Sequence, residues 1–417
     1  MSRRWSGTDA VAPVDPTRSI GWHPIRLVQY DVDAPPDSGP LDGGEFDRVW
    51  LEVVKHGRVI GLLEPDTDCG ALSAADLAEI DGLRSSIDAM PDERLADERL
   101  ARASVVIPTI CTDPAQLART VRSLLAMDYP AFDVVVVDNR SDSSASPLPE
   151  LPGGDRVSVV REPRPGISAA RNRGVEVATG DFIAFTDDDA VVDPGWLHAL
   201  GTRFAQDPPV DAIGGLVLPL ELDTEAQLWF EEFYGGFSRS FRPETLSVER
   251  TSGTDALFPY APGRFGAGCN MAFRRSALER MGGFDTALGV GTPAKGGEDL
   301  AMFAGFLVAG GTMAFEPAAI VRHSHRRTKG AFLRQVRNYG TGLTAMYTSM
   351  IVHDPRHLAA MLRRVPAGLR LLARPRGERS PSRSPAYPRR TLAYQVLGMA
   401  YGPLAYARSA MRARRSP

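Results

Sequence analysis

The stretch 181–197, DFIAFTDDDAVVDPGWL, contains the transition that decides the fold. An apolar run typical of a buried strand ends in Asp187, Asp188 and Asp189, and a helical pattern follows Pro194. Because three adjacent carboxylates repel one another, a cation is expected among them. Mg²⁺ and Mn²⁺ prefer hard oxygen ligands, and one or two carboxylates plus substrate phosphates make a sufficient site. The alternative is a solvated acidic turn before the helix.

Strands and helices alternate on both sides of this stretch. SVVIPT at 104–109 and FDVVVVDN at 132–139 are typical of buried strands, and segments 113–127 and 167–179 have helical patterns. Repeated β–α units predict an α/β protein with a doubly wound sheet, whose ligands bind beyond the carboxyl ends of the strands. Asp138 follows one such end and the acidic cluster follows another. We therefore expect them at the same edge of the sheet.

Four segments are predicted along the chain. Residues 1–24 are polar and aperiodic and are expected to form a flexible arm, and residues 25–99 to form a small α+β N-terminal domain. Residues 100–345 hold the α/β pattern. Residues 346–417 form an Arg-rich extension that is expected to be helical.

The basic extension carries a charge opposite to that of the body. Residues 353–417 contain 14 Arg and no Lys against two acidic residues, a balance of +12, so that residues 1–352 carry −15 of the net −3. Arginines among apolar residues at near-helical spacing favour an anionic membrane surface as partner. A tail folded back onto the acidic body is the second possibility. Nucleic acid is the third, and the acidic body disfavours it.

The ends and cysteines of the chain bear on its compartment. No apolar stretch follows the first arginines, so we expect no secretory signal and a cytoplasmic location, with the tail on the inner face of the membrane. The three cysteines, Cys69, Cys111 and Cys269, are far apart. Their odd number and spacing argue against a disulfide framework and against a thiolate zinc site.

Five motifs, in this order, resemble glycosyltransferase family 2, whose catalytic domain has the GT-A fold. They are SVVIPT, VVVVDNRSDS, PGISAARNRGVEVATGDFIAFTDDDAVVDPGWL, GAGCNMAFRRSALERMGGFD and GGEDLAMF, within a match from about Ser104 to Gly342. Each motif alone is weak, but the ordered set is specific. The resemblance implies an enzyme that moves a sugar from a nucleoside-diphosphate sugar, with a UDP-sugar expected first, to a hydroxyl of an acceptor that the sequence does not identify.

The resemblance also implies which residues bind the donor. Thr109, Asp138 and Asn139 correspond to the family's nucleoside-binding positions, although many relatives have a second Asp where this chain has Asn139. Arg171 and Asn172, in the segment ARNRG, correspond to a further donor-binding segment.

A divalent cation, Mn²⁺ or Mg²⁺, is the cofactor that the resemblance implies. Asp189 corresponds to the family's metal ligand, which binds the ion that bridges the two phosphates of the donor. Asp188 and Asp187 are assigned to the ribose and to the surroundings of the ion, with Asp187 as a further candidate ligand. His323 is the candidate third ligand by position; His325, or a histidine bonded to phosphate or backbone, is the alternative.

The acidic pair of GGEDLAMF supplies the candidate catalytic residues. In the family this pair lies beside the acceptor, and the position of Asp299 is the general base of inverting members, whereas Glu298 is expected to orient its neighbours. The alternative is a simple pair of acidic residues favoured by the dipole at a helix start. The Gln-x-x-Arg-Trp signature of processive members is absent, so that single addition is predicted.

The same residues bear on the functions that rival this interpretation. A retaining transferase or a nucleotidyltransferase could use the same fold. A non-catalytic nucleotide-sugar binding module should lack either the acidic cluster or the acidic pair, and both are present. A dinucleotide oxidoreductase is disfavoured because SVVIPTICTD lacks the Gly-rich turn that would hold a pyrophosphate.

Overall fold

The computed structural model describes ten ranges of the chain: 24–34, 48–65, 72–85, 95–140, 148–237, 240–251, 255–261, 263, 265–373 and 390–415. Apart from Pro24, the predicted arm of residues 1–24 lies outside these ranges, as does Cys69.

Two β-sheets organise the described residues. The smaller one has the order β1-β2-β3, in which β1 pairs parallel and β3 antiparallel with β2. The larger one has nine strands in the order β10-β12-β9-β11-β7-β4-β5-β6, with β8 paired to β12. The strands are β1 Ile25–Asp31, β2 Arg48–Lys55, β3 Arg58–Leu63, β4 Ala103–Thr109, β5 Phe132–Asp138, β6 Val157–Arg161, β7 Phe182–Phe185, β8 Ala190–Val192, β9 Ala212–Pro219, β10 Glu244–Leu246, β11 Met271–Arg274 and β12 Met313–His323.

Helices connect the strands and continue beyond them. They are α1 Ala74–Ser85, α2 Pro114–Leu125, α3 Ile167–Val177, α4 Trp196–Ala205, α5 Glu225–Leu228, α6 Val248–Thr251, α7 Arg275–Met281, α8 Glu298–Val308, α9 Lys329–His353, α10 Arg356–Leu362, α11 Val365–Ala373 and α12 Thr391–Ala413. A π-helical turn, Trp229–Phe233, continues α5. Among the described residues, no helix is both long enough and apolar enough to cross a membrane.

The continuous apolar run of β5 is buried on both faces of the sheet. Val134 and Val136 pack into the cluster that holds Leu117 of α2 and Trp196 of α4, whereas Val135 and Val137 pack into the cluster on the opposite face. Because side chains alternate across a strand, a strand covered on both faces must be apolar at every position. The doubly wound arrangement predicted from the sequence is therefore present, although β8, β10 and β11 run antiparallel to their neighbours.

The parallel strands determine where the site lies. Strands β4, β5, β6 and β7 pair in parallel, and β12 pairs in parallel with β9. Strand β11 lies antiparallel between β7 and β9, so that β9 and β12 have the same direction as β7. The carboxyl ends of β4, β5, β7 and β12 consequently meet at one edge of the sheet.

The small N-terminal sheet packs against the larger one. Val54 and Val59 share a cluster with Leu216 and Phe315. The buried carboxylate of Glu52 accepts a 2.7 Å hydrogen bond from Arg322 of β12. The N-terminal sheet and the larger sheet are therefore joined by apolar contact and by an ion pair.

The C-terminal helix folds back onto α9, as the second of the three sequence possibilities predicts. A Cβ atom at Gly398 would lie 2.0 Å from the carbonyl oxygen of Arg337, and one at Gly402 would lie 1.9 Å from Thr344 Oγ1. Only glycine lets the two helices approach so closely. The predicted boundary between residues 345 and 346 falls inside α9, which is continuous from Lys329 to His353.

Candidate active site

The acidic cluster follows β7 at the edge where the parallel strands end. Thr109 ends β4, Asp138 ends β5 and His323 ends β12. The sheet thus brings together residues that are up to 214 positions apart in the chain, from Thr109 to His323. This edge contains the predicted donor and metal residues.

Asp189 and His323 are in direct contact at this edge of the sheet. Asp189 Oδ1 lies 3.2 Å from His323 Nε2, and Asp189 Oδ2 lies 4.0 Å from Arg326 Nη1. Burial favours the neutral carboxyl, but the charges of His323 and Arg326 outweigh it and lower the pKa of Asp189 to about 2. Burial lowers the pKa of His323, but the charge and hydrogen bond of Asp189, together with the charge of Asp187, outweigh burial and raise the pKa overall. Asp189 is therefore an ionised ligand candidate.

The donor atoms around His323 suit a divalent ion. One ligand atom each of Asp187, Cys269 and His323 lies within 4.8 Å of the others, and His323 Nδ1 has no hydrogen-bond partner among the described residues. Burial and nearby carboxylates raise the pKa of the Cys269 thiol well above its usual range. Mn²⁺ and Mg²⁺ prefer oxygen ligands to sulfur, so that Asp187 and His323 are the better candidates of the three. Asp189, which contacts His323 Nε2, adds a second carboxylate beside this group. Binding of the ion stays a prediction.

Asp188 points to a different neighbour from Asp189. Its Oδ2 accepts a hydrogen bond from the Thr109 hydroxyl, and Thr109 Oγ1 in turn accepts one from the backbone N–H of Cys111, at 2.8 Å. Burial and the adjacent carboxylates raise the pKa of Asp188 to about 6, against the effect of the Thr109 hydrogen bond. The contact joins the ends of β4 and β7, where the family resemblance predicts the ribose.

Asp138 is already paired by two arginines that the sequence analysis did not assign. Its Oδ2 accepts hydrogen bonds from Arg140, at 2.8 Å, and from Arg161, at 2.7 Å. Although burial opposes the change, these arginines lower the pKa of Asp138 to about 2. A nucleoside that contacts Asp138 would therefore meet an ion pair and not a lone carboxylate.

Asn139 and Asn172, both predicted to bind the donor, have their amides engaged inside the protein. Asn139 Nδ2 donates to the carbonyl oxygens of Glu162 and Arg164, and its Oδ1 accepts from the N–H of Gly166. Asn172 exchanges two hydrogen bonds with the backbone of Phe284. In this structure both side chains stabilise neighbouring loops through these hydrogen bonds, and a contact with the donor stays a prediction.

Arg171 lies inside the protein and pairs with acidic side chains from two other segments. It is 1% exposed and pairs with Glu298 at 2.8 Å and with Asp187 at 3.5 Å. Its Nη2 also donates to the carbonyl oxygen of Gly268, at 3.1 Å. The guanidinium bridges the acidic cluster and the start of α8 in this structure, and a direct contact with the donor stays a prediction.

The acidic pair at the start of α8 divides into a buried and a partly exposed member. Glu298 is 6% exposed. Burial and the charge of Asp299 raise its pKa to about 7 even though Arg171 opposes the change. Asp299 is partly exposed, and its Oδ2 accepts a 2.9 Å hydrogen bond from the N–H of Gly268. Of the two, Asp299 is the carboxylate that an acceptor can reach.

His325, the alternative metal ligand, is occupied elsewhere. Its Nε2 contacts Glu231 Oε1, and both side chains are 1% exposed. Phe237 packs on His323 and His325, with ring centroids at 5.4 and 5.9 Å respectively. Sequence reasoning missed Glu231 because it lies in the π-helical turn, 94 residues before its partner.

The comparisons with known proteins agree with these motifs. Residues 104–282 match the family model of glycosyl transferase family 2. The chain is 29% identical over 194 residues to a glucosyl-dolichyl phosphate glucuronosyltransferase of Haloferax volcanii, covering 45% of this chain and 57% of that protein. It is 34% identical over 218 residues to the succinoglycan biosynthesis protein ExoM of Rhizobium meliloti, covering 49% and 62%. The chain therefore spans about three fifths of the length of these two relatives.

One solved structure is similar at lower sequence identity. The mannosyltransferase PcManGT from Pyrobaculum calidifontis, solved with GDP-Man and Mn²⁺, is 19% identical with a TM-score of 0.44. The alignment covers 80% of this chain and 81% of that one.

Proposed function

Because the chain belongs to glycosyltransferase family 2, we propose that it transfers one glycosyl group from a nucleoside-diphosphate sugar to an acceptor hydroxyl. We propose further that the reaction inverts the anomeric centre and requires a divalent metal. The observation that carries the proposal is the meeting of Asp187, Asp189 and His323 at the strand ends with Asp299 on the adjacent helix. A binding module would not require a base beside the metal residues.

The charges of the cluster explain why a metal and a diphosphate would bind together. Asp187, Asp189 and His323 would hold the ion, which when bound stabilises the negative charge that develops on the departing nucleoside diphosphate. Arg326 adds a positive side chain 4.0 Å from Asp189. Thr109 and Asp188, joined by their hydrogen bond, would face the ribose.

Asp299 would act on the acceptor. It removes the proton of the acceptor hydroxyl while that oxygen attacks the anomeric carbon, and the bond from that carbon to the phosphate oxygen breaks. Glu298 would not exchange the proton, because its carboxylate is buried against Arg171. In-line attack from the face opposite the leaving group gives inversion.

The metal assignment predicts that Asp189→Ala abolishes Mn²⁺-dependent binding of nucleoside diphosphate. In wild type, UDP plus Mn²⁺ should raise the melting temperature, since a ligand that binds only the folded state stabilises it by mass action. The same scan with GDP, CDP and ADP identifies the base and tests the expectation of a UDP-sugar.

Asp193→Ala is the matched control for Asp189→Ala. Asp193 lies four residues farther on, where its Oδ1 accepts a hydrogen bond from the N–H of Gly195. It should keep the response to UDP and Mn²⁺. An Asp189→Ala protein that still responds to Mn²⁺ as wild type does would exclude Asp189 as a ligand.

The C-terminal helices support the further proposal of an anionic membrane surface as partner. On α12, Leu392, Val396, Leu397, Leu404 and Met411 are 48–60% exposed, and residues 391–407 contain no charged side chain. Arginines follow this segment. Exposed apolar side chains beside arginines are typical of helices that lie in the interface of an anionic bilayer.

The apolar stripe of α10 and α11 has the same character. Leu358, Leu362, Val365 and Leu369 are 46–61% exposed and recur at intervals of four, three and four residues. Exposed apolar patches of this kind indicate an interaction surface. The charge balance of +12 in residues 353–417 favours anionic lipid as its occupant.

The membrane proposal predicts that replacing Leu362, Leu369 and Leu397 together by glutamine weakens binding to phosphatidylglycerol vesicles by about 10- to 100-fold, at roughly 1 kcal/mol lost per half-buried leucine. Vesicle co-sedimentation measures the loss. Deleting the tail is a poorer test, because α12 covers part of α9.

A matched triple variant controls for the change in surface polarity. Leu77, Val159 and Val308 are also exposed, at 38–50%, and lie outside the C-terminal helices. Their replacement by glutamine should leave vesicle binding unchanged. Equal losses in the two triple variants, or no binding by wild type, would contradict the membrane proposal.

A further inference from the structure

A cleft separate from the acidic cluster lies between the last turns of α12 and the loop that precedes α8. Its volume is about 60 Å³, and it opens to solvent. None of the donor, metal or base residues assigned above lines it. The residues that line it include Arg164, Ala169, Thr292, Ser409 and Arg412.

Two side chains from α12 give the cleft unused hydrogen-bonding capacity. Ser409 is only 2% exposed, lines the cleft, and its hydroxyl has no hydrogen-bond partner in the described part of the chain. Arg412, three residues farther along the helix, also lines the cleft and makes no ion pair with a described residue. Both groups are therefore available to a ligand or to water that enters the cleft.

The opposite wall of the cleft adds further positive potential. Arg164 lies there, with its guanidinium bound to Glu162 at 2.8 and 2.9 Å. The first turn of α3 contributes Ala169, and its N-cap residue, Gly166, supplies no side-chain cap. The N–H of Ile167 donates to the carbonyl oxygen of Val290, and the first turn of this 11-residue helix adds the positive end of the helix dipole, which favours anions.

The loop that forms the third wall leads directly to the candidate base. Thr286, Gly291, Thr292 and Pro293 line the cleft, and the chain continues from them to Asp299 at the start of α8. A group bound in the cleft would therefore be held by the same loop that positions the base.

We propose that this cleft binds a phosphate group carried by the acceptor. The inference rests on the proposed glycosyl transfer, since it assigns the group to that reaction's second substrate. Phosphate matches the chemistry of the walls, because a guanidinium, a hydroxyl and a helix N-terminus are its usual ligands in proteins. The phosphate can come from a lipid headgroup beside the apolar face of α12 or from a soluble phosphorylated acceptor.

The test uses inorganic phosphate as probe, titrated without divalent metal and followed by thermal shift. Under these conditions the acidic cluster repels phosphate. Wild type should show a saturable rise in melting temperature, Arg412→Gln should bind phosphate at least ten-fold more weakly, and Ser409→Ala about three-fold more weakly. Arg414→Gln is the matched control, because Arg414 is an exposed arginine of the same helix end that does not line the cleft. Equal curves for Arg412→Gln and wild type would overturn the proposal.

Two further measurements are needed. One distinguishes a lipid headgroup from a soluble acceptor as the source of the phosphate, and the other tests the cleft independently of the proposed donor site. Vesicles that contain phosphatidic acid should compete with inorganic phosphate if the group is a lipid headgroup, whereas glycerol 3-phosphate alone should compete if it is soluble. Arg412→Gln should keep the thermal response to UDP and Mn²⁺, and Asp189→Ala should keep the response to phosphate. If either variant lost both the response to phosphate and the response to UDP with Mn²⁺, phosphate would be assigned to the donor site. A separate phosphate-binding cleft would then be refuted.

Discussion

Asp299→Asn is expected to lower turnover by about 10²- to 10⁴-fold while leaving donor affinity nearly unchanged, as loss of a general base typically does. The asparagine keeps the size of the side chain and can still accept the hydrogen bond that the N–H of Gly268 donates at 2.9 Å. It cannot take a proton from the acceptor hydroxyl. The loss should therefore appear in the chemical step.

Glu298→Gln is the comparison variant in the same acidic pair. Glu298 is 6% exposed and bound to Arg171, so we expect a smaller loss, caused by weakened positioning. Release of nucleoside diphosphate with a panel of acceptors measures turnover, and the thermal response to UDP and Mn²⁺ measures donor binding. A fully active Asp299→Asn with an inactive Glu298→Gln would reverse the two roles. Full activity in both variants would exclude the pair as the source of the base.

The family resemblance and the α/β architecture could be predicted from the sequence. The resemblance agrees with the family match over residues 104–282, and the predicted α/β architecture is confirmed by the mixed sheet with helices on both faces. The prediction succeeded because a strand covered on both faces needs an unbroken apolar run such as that of β5, and because polar residues directly after such runs must lie at the edge of the sheet.

Contacts between distant segments could not be predicted in the same way. Arg171 lies in a helix with the composition of a surface segment, and its burial depends on Glu298, 127 positions later, and on the carbonyl oxygen of Gly268. The sequence motif marks the arginine as important but gives no information on what it faces.

The C-terminal helix illustrates a second limit. Its charge-free segment has a composition that fits a membrane surface or a protein interior equally well. The structure uses one face for α9, through Gly398 and Gly402, and leaves the opposite face exposed. Amino-acid composition does not tell which face of α12 contacts which partner, because that depends on the shape of the neighbouring helix.

Replacing Arg171 with methionine is expected to lower the free energy of unfolding by about 3–5 kcal/mol. The change keeps much of the apolar volume but leaves the buried carboxyl of Glu298 without its cation. Glu298 must then stay charged without a partner or take up a proton, and breaking one side of a buried pair is strongly destabilising. Urea denaturation measures the change. Arg173→Met is the matched control two residues along α3: its pair with Glu176, at 2.9 Å, is more than a third exposed on both sides. Exposed pairs contribute less than about 1 kcal/mol.

The double variant Arg171→Met with Glu298→Gln distinguishes a charge effect from a packing effect. If the loss comes from the unpaired carboxylate, neutralising Glu298 should restore about 1–3 kcal/mol, since contacting residues couple by that amount. Turnover should remain low even where stability recovers. Arg171 also donates to the carbonyl oxygen of Gly268, and the N–H of Gly268 is bonded to Asp299. Without Arg171, the position of Asp299 is therefore less restricted, and Glu298→Gln does not restore that restriction. Equal destabilisation by Arg171→Met and Arg173→Met would mean that the buried bridge does not stabilise the fold.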